Sequence, residues 1–139
     1  MRTPRRAVLL GGLALSVGAC GRRSDVGAVQ AALQSAVEAL PVYVDGQVQY
    51  QDSASAGTTI SGVLTLQGAD REAVAASLER VLETVARTYR DQADVRTAFV
   101  RVEAHPADDP AARVLTTEVV APSAGANTTT DDLDAHFDL

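Results

Sequence analysis

The hydrophobic period of the chain changes twice, and this limits the fold more than any other feature of the sequence. Between Asp25 and Pro41 the apolar residues recur every three or four positions, as on one face of an α-helix. They are Val26, Val29, Leu33, Val37 and Leu40. A second stripe of this kind follows Asp70 and consists of Val74, Leu78, Val81, Leu82, Val85 and Tyr89. We predict two amphipathic helices, capped by Ser24 or Asp25 and by Asp70.

After each predicted helix the period falls to two, which is typical of strands with one buried and one exposed face. The first strand is predicted to bury Val42, Val44, Val48 and Tyr50 and to expose Tyr43, Asp45, Gln47 and Gln49. The second separates Ile60, Leu64 and Leu66 from Thr59, Ser61, Val63 and Thr65. The third separates Ala98, Val100, Val102 and Ala104 from Phe99, Arg101 and Glu103. A fourth strand, about Arg113 to Ala121, alternates less cleanly.

This order predicts the α+β class, with helix, strand and strand repeated once. Two helices on one face of a four-stranded antiparallel sheet would bury both apolar stripes. The expected strand order is 3-4-2-1, which is a ferredoxin-like sandwich permuted by one strand. The other face of the sheet would be uncovered and polar, with Gln47, Gln49, Thr65, Arg101 and Glu118.

The predicted sandwich spans residues 25–121 and forms one domain. Residues 122–139 are expected to form a linker, followed by a short C-terminal helix or a tail. The helix is suggested by the segment Thr129 to Asp132, which has the pattern of a capping box, and by Leu133 and Phe137 one turn apart.

The N-terminal 19 residues have the pattern of a secretory signal. Arg5 and Arg6 precede the uncharged run Ala7 to Ala19, which is too short to cross about 30 Å of hydrocarbon. The run ends in Val17, Gly18 and Ala19, followed by Cys20, the single cysteine of the chain.

Val17-Gly18-Ala19-Cys20 resembles the lipobox of bacterial lipoproteins. The resemblance implies cleavage after Ala19, lipidation of the Cys20 thiol and a tether over residues 20–24 at the extracytoplasmic face of the cell membrane. Arg5-Arg6 also resembles a twin-arginine signal, so the general and the twin-arginine export routes both stay open. The alternative is an ordinary secreted protein cut near Ala19, in which Cys20 has no role.

Two further resemblances concern the predicted domain. The segment Val44-Asp45-Gly46-Gln47-Val48, together with the helix-strand-strand order, resembles the BON domain of bacterial envelope proteins. The whole chain is similar to small actinobacterial lipoproteins, and its use of Arg without Lys is typical of a GC-rich genome. These resemblances imply a place in the cell envelope and no particular activity.

The charge of the chain argues against a nucleic-acid partner. Loss of Arg2, Arg5 and Arg6 with the signal would reduce the 12 basic residues to nine, against 18 acidic ones. Such a surface would repel phosphates, whose neutralisation drives nucleic-acid binding. A single cysteine also excludes an intramolecular disulfide, so packing must stabilise the fold.

The sequence predicts no catalytic residues, no metal and no cofactor, and we expect a protein that is not an enzyme. His105 with Asp108 and Asp109 is interpreted as a solvated turn, and the acidic residues from Asp131 to Asp138 as helix-start residues. The favoured hypothesis is an interaction or structural module in which Tyr43, Phe99 and Arg101 contact a protein partner at the cell surface. The alternative is a carrier of a small apolar or lipid ligand, lined by Tyr43, Tyr50 and Phe99.

Overall fold

The computed structural model describes residues 22–139 and confirms the α+β class. Its elements are α1 (Val26–Glu38), β1 (Tyr43–Ser53), β2 (Gly57–Leu66), α2 (Arg71–Arg90), β3 (Phe99–His105), β4 (Val114–Leu115), α3 (Thr116–Val119) and α4 (Thr130–His136). Among residues 22–139, no helix has both the length and the apolar character needed to cross a membrane.

Both long helices begin at the predicted caps. Asp25 accepts a hydrogen bond from the Ala28 amide at 3.0 Å, and Asp70 accepts one from the Ala73 amide at 2.8 Å. Each carboxylate thus satisfies an amide that has no partner inside the helix. The entire predicted stripe of α2 is buried, whereas only the middle of the α1 stripe is fully buried, at Val29, Leu33 and Val37.

The predicted strand order and the wholly antiparallel sheet are wrong. The four strands lie in the order β1-β2-β3-β4, and β3 pairs with β2 in parallel. The two outer pairs are antiparallel. The sequence alone left this choice open, because α2 is long enough to carry the chain back across the sheet, as a parallel neighbour requires.

The predicted fourth strand is also wrong beyond Leu115. β4 pairs only Val114 and Leu115 with β3, and the chain then turns into α3. Glu118 stabilises this turn, since it accepts from the Leu115 amide at 2.7 Å and forms an ion pair with Arg71 of α2. Glu118 therefore does not lie on the uncovered face of the sheet, where it was predicted.

The segment after residue 121 is packed with the rest of the domain. Thr129 forms an antiparallel bridge with Phe99, and the predicted capping box forms between Thr129 and Asp132 at the start of α4. Leu133 has no exposed surface and belongs to the buried cluster that contains both long helices and one side of the sheet. The predicted short helix is thus present, and its apolar residue contributes to the core.

A bulge near the start of β1 reverses the predicted sides of two residues. Tyr43 pairs with Leu66 and Asp45 with Thr65, so that Val44 is an extra residue in the ladder. Tyr43 therefore shares the side of buried Leu66, and Val44 is 43% exposed instead of buried. Beyond the bulge the predicted alternation is observed, with Val48 and Tyr50 buried.

Candidate interaction surface on the sheet

The side of the sheet that faces away from the helices carries a mixed polar and apolar surface, which we call the open face. Its residues are Asp45, Gln47, Gln49, Gln51, Thr59, Ser61, Val63, Thr65, Phe99, Arg101, Glu103, His105 and Leu115. Three of them are large, apolar and well exposed: Val63 at 52%, Leu115 at 42% and Phe99 at 40%. The predicted placement of Phe99 and Arg101 on this side is confirmed.

Arg101 is oriented by two neighbours. Its guanidinium carbon lies 5.9 Å from the centre of the Phe99 ring, within the range of a cation–π contact. Its Nε donates a hydrogen bond to Oδ1 of Asn127 at 3.3 Å. The ring and the amide thus contact the guanidinium group from two sides, while Arg101 as a whole stays exposed on the open face.

A shallow groove runs beside Arg101. It has a volume of about 250 Å³ and lies between β3 and the segments Leu115–Thr117 and Ala126–Asn127. Glu103 also lines it and is 3.5 Å from Arg113, while Leu115 stands opposite Glu103 in the β3–β4 register. Opposite charges and an exposed aliphatic residue therefore lie within one small area of the open face.

The outer edge of β1 is closed by two glutamines of α1. Oε1 of Gln34 accepts from the Val48 amide at 2.8 Å, and its Nε2 donates to the Gly46 carbonyl at 3.3 Å. Oε1 of Gln30 accepts from the Tyr50 amide at 2.6 Å, and its Nε2 donates to the Val48 carbonyl. The two amides thus replace a neighbouring strand along the middle of this edge.

The outer edge of β3 is closed in a similar way. The Thr116 hydroxyl accepts from the Val102 amide at 3.1 Å and donates to the Val102 carbonyl at 2.6 Å. Thr130 accepts from the Ala98 amide through its hydroxyl and donates to the Ala98 carbonyl through its own amide. A partner strand would have to displace these bonds, so the open face is the more accessible surface of the sheet.

Sequence reasoning missed the two glutamines because polar residues on a helix are usually solvated. Gln30 and Gln34 lie outside the apolar stripe of α1, yet both are half-buried against β1. The available signal was their spacing. Two side-chain amides one helical turn apart can bond backbone groups that are two residues apart along the edge of a strand.

Tyr43 lies on the helix side of the sheet instead of the open face. Its hydroxyl donates to the Gly46 carbonyl at 2.8 Å, and partial burial is the main cause that raises the pKa of the Tyr43 phenol. The bulge at Val44 produces this placement. Tyr43 is thus separated from Phe99 and Arg101 by the sheet.

The three aromatics proposed to line a ligand cavity lie in different environments. Tyr50 is 4% exposed, hydrogen-bonded to Ser24, and 5.7 Å from the Tyr89 ring. Tyr43 packs at the margin of the core, and Phe99 lies on the open face. These residues do not line one cavity, so the geometry gives no support to the carrier hypothesis.

The acidic and histidine residues considered for chemistry are used in local contacts. Nδ1 of His105 is 2.9 Å from the Pro106 carbonyl oxygen, and Asp109 accepts from the Ala111 amide at 3.1 Å. Glu79 contacts His136 at 3.1 Å. Within residues 22–139, no group of three or more such side chains is placed to hold a metal ion.

The predicted signal and lipidation residues, Arg5, Arg6, Val17, Gly18, Ala19 and Cys20, lie outside the described residues. Their roles and the envelope resemblances stay predictions. No protein-family model, no curated protein and no solved structure matches the chain.

Proposed function

We propose that the chain is a membrane-anchored extracytoplasmic lipoprotein whose domain is a non-enzymatic interaction module. The observation that supports this most is the open face, a surface with three exposed apolar side chains and an oriented Arg101. Aromatic residues and Arg are enriched where proteins contact one another. The helices cover the other side of the sheet, and hydrogen bonds from flanking residues occupy the outer edges of β1 and β3, so the open face is the proposed contact surface.

Ser24 supports a short distance between the proposed anchor and the domain. It is 7% exposed, and its Oγ is 2.8 Å from both the Tyr50 hydroxyl and Oδ2 of Asp52. The hydrogen bond from Ser24 is the main cause that lowers the pKa of the Asp52 carboxyl. Ser24 is therefore packed against β1, directly before the predicted start of the domain at residue 25.

Only residues 21–23 would separate a lipidated Cys20 from this docked serine. Four Cα steps extend at most about 14 Å. Because Ser24 is bound at β1, the proposed anchor would bring the β1 side of the sheet near the lipid surface. The open face would then be roughly perpendicular to the membrane surface, where proteins in the same membrane can reach it.

Replacement of Cys20 by Ala should abolish incorporation of an alkyne fatty acid into the chain, because the acceptor thiol is lost. The measurement is metabolic labelling followed by fluorescent detection after electrophoresis. Ser24→Ala is the matched control, since it changes the same N-terminal region and keeps the thiol. Equal labelling of the Cys20→Ala variant and the wild type would overturn the lipoprotein proposal.

The double substitution Phe99→Ser and Arg101→Glu should remove partner contact while leaving the thermal midpoint nearly unchanged. Both side chains lie on the open face, and Phe99 is 40% exposed, so little core packing is lost. Contact is measured by photo-crosslinking in membranes from a reactive group placed at position 61. Arg80→Glu on the exposed side of α2 is the control for a charge reversal.

Two outcomes would count against this interpretation. Unfolding of the double variant would mean that Phe99 supports the core. Undiminished crosslinking in a folded double variant would mean that Phe99 and Arg101 do not form the contact surface.

A further inference from the structure

The charges around the open face balance, although the chain as a whole has a net charge of −6. Of the open-face residues, Asp45 and Glu103 are negatively charged and Arg101 is positively charged, and Arg113 beside this face, 3.5 Å from Glu103, supplies the second positive charge. A neutral patch on an acidic protein is the part of its surface that a second acidic copy can approach with least repulsion. We propose that the partner of the open face is a second copy of this chain, an inference that rests on the proposed function of this face as a contact surface.

We place the two-fold axis on one row of the sheet, because this row has Arg101 and Glu103 at equal distances on its two sides. Val48, Gly62 and Val102 lie side by side across β1, β2 and β3. A two-fold axis along this line, within the plane between two facing sheets, would run the strands of the two copies in opposite directions. Each open-face residue would then meet the residue placed equally far on the other side of the line.

About this axis, Arg101 of one copy lies opposite Glu103 of the second copy, and the pair occurs twice. Within one copy, Arg101 and Glu103 are separated by about 6.8 Å along β3. Between the two copies the facing sheets would lie about 10 Å apart, a distance that the long charged side chains can bridge. Asn127 occupies Nε of Arg101, so the terminal nitrogens are the atoms that would reach the carboxylate.

The neighbouring positions are also self-complementary. On β1, Gln47 of one copy lies opposite Gln49 of the second copy, which allows amide–amide hydrogen bonds. On β2, exposed Val63 lies opposite Ser61 of the second copy, near the centre of the contact. An apolar residue at the centre with polar pairs around it is the usual arrangement of a protein interface.

The docked serine is compatible with two copies in one membrane. Ser24 binds Tyr50 and Asp52 of β1, and the proposed axis runs from β1 towards β4. Rotation about this axis leaves both β1 edges, and hence both Ser24 residues, on the same side of the pair. Two lipidated copies could thus pair while anchored in the same bilayer, where tethering raises their effective concentration.

The test uses the full-length chain, co-expressed in membranes with two different epitope tags and with Ser61 replaced by p-benzoyl-phenylalanine. The wild-type pair should give an adduct that carries both tags and has twice the mass of the chain. Arg101→Glu alone and Glu103→Arg alone should each reduce this adduct at least about tenfold, because like charges then face each other twice. Co-expression of the two variants should restore the adduct, because each mixed pair again joins opposite charges.

Restoration of the adduct on co-expression would also show that both variants fold. Arg80→Glu, the control for a charge reversal, should leave the yield of the adduct unchanged. A self-adduct that does not respond to the charge reversals would overturn the inferred geometry. An adduct with a different protein and none with a second tag would overturn the inference and leave the proposed contact function standing. No adduct of either kind would overturn both.

Discussion

Replacement of Leu78 by Ala should lower the free energy of unfolding by about 2–5 kcal/mol, through lost transfer energy and the cavity left behind. Leu78 has no exposed surface and lies in the middle of α2, the longest helix of the domain. Domains of this size are stable by about 5–15 kcal/mol, so the variant should be markedly less stable. Urea unfolding followed by circular dichroism measures the change.

Arg80→Ala is the matched control on the same helix. Arg80 is exposed, and its substitution should change stability by less than about 0.5 kcal/mol. A similarly small change for Leu78→Ala would mean that α2 packs through a different side. The comparison therefore tests which side of α2 packs against the core, apart from any effect on helix propensity.

The local structure could be predicted because its signals lie within a few residues of one another. The stripe from Val74 to Tyr89 fixes the buried side of α2, and Asp70 fixes its start. The alternation from Thr59 to Leu66 likewise fixes the two sides of β2. These periods follow directly from the geometry of helices and strands.

The pairing of distant strands could not be predicted in the same way. A β3 that pairs with β2 in parallel and a β3 that pairs elsewhere would show the same alternation in sequence. The end of β4 at Leu115 depends on bonds from Thr116 to Val102 and from Glu118 to Arg71. Those bonds join residues far apart in the chain, so no local pattern reveals them.

The candidate surface could be predicted only where the alternation of a strand is regular. Phe99 and Arg101 follow the regular alternation of β3 and lie where it puts them. Tyr43 was misplaced because one extra residue, Val44, changes the side of everything before it. The backbone of Gly46 has a φ of +107°, and a Cβ there would lie 2.3 Å from the Val63 carbonyl oxygen, so glycine is required just after the bulge.

A second large loss of stability is expected when the side chains that cover the outer edge of β1 are removed. Gln30→Ala with Gln34→Ala would leave the amides of Val48 and Tyr50 and the carbonyl of Val48 without their present partners, while the Gly46 carbonyl would keep its bond from the Tyr43 hydroxyl. We expect a loss of about 2–4 kcal/mol in unfolding free energy, since unpaired, partly buried backbone groups are costly. Ala favours a helix slightly more than Gln, so helix propensity works against this loss and cannot explain it.

The double glutamine variant should also self-associate, because an uncovered strand edge can pair with another chain. Urea unfolding and analytical ultracentrifugation would measure the two effects, with Ser35→Ala, on the exposed side of the same helix, as the control. Gln34→Glu should lie between the control and the double variant, because a carboxylate can still accept from the Val48 amide but cannot donate to the Gly46 carbonyl. A double variant as stable and as well dispersed as Ser35→Ala would show that the glutamines do not protect the edge.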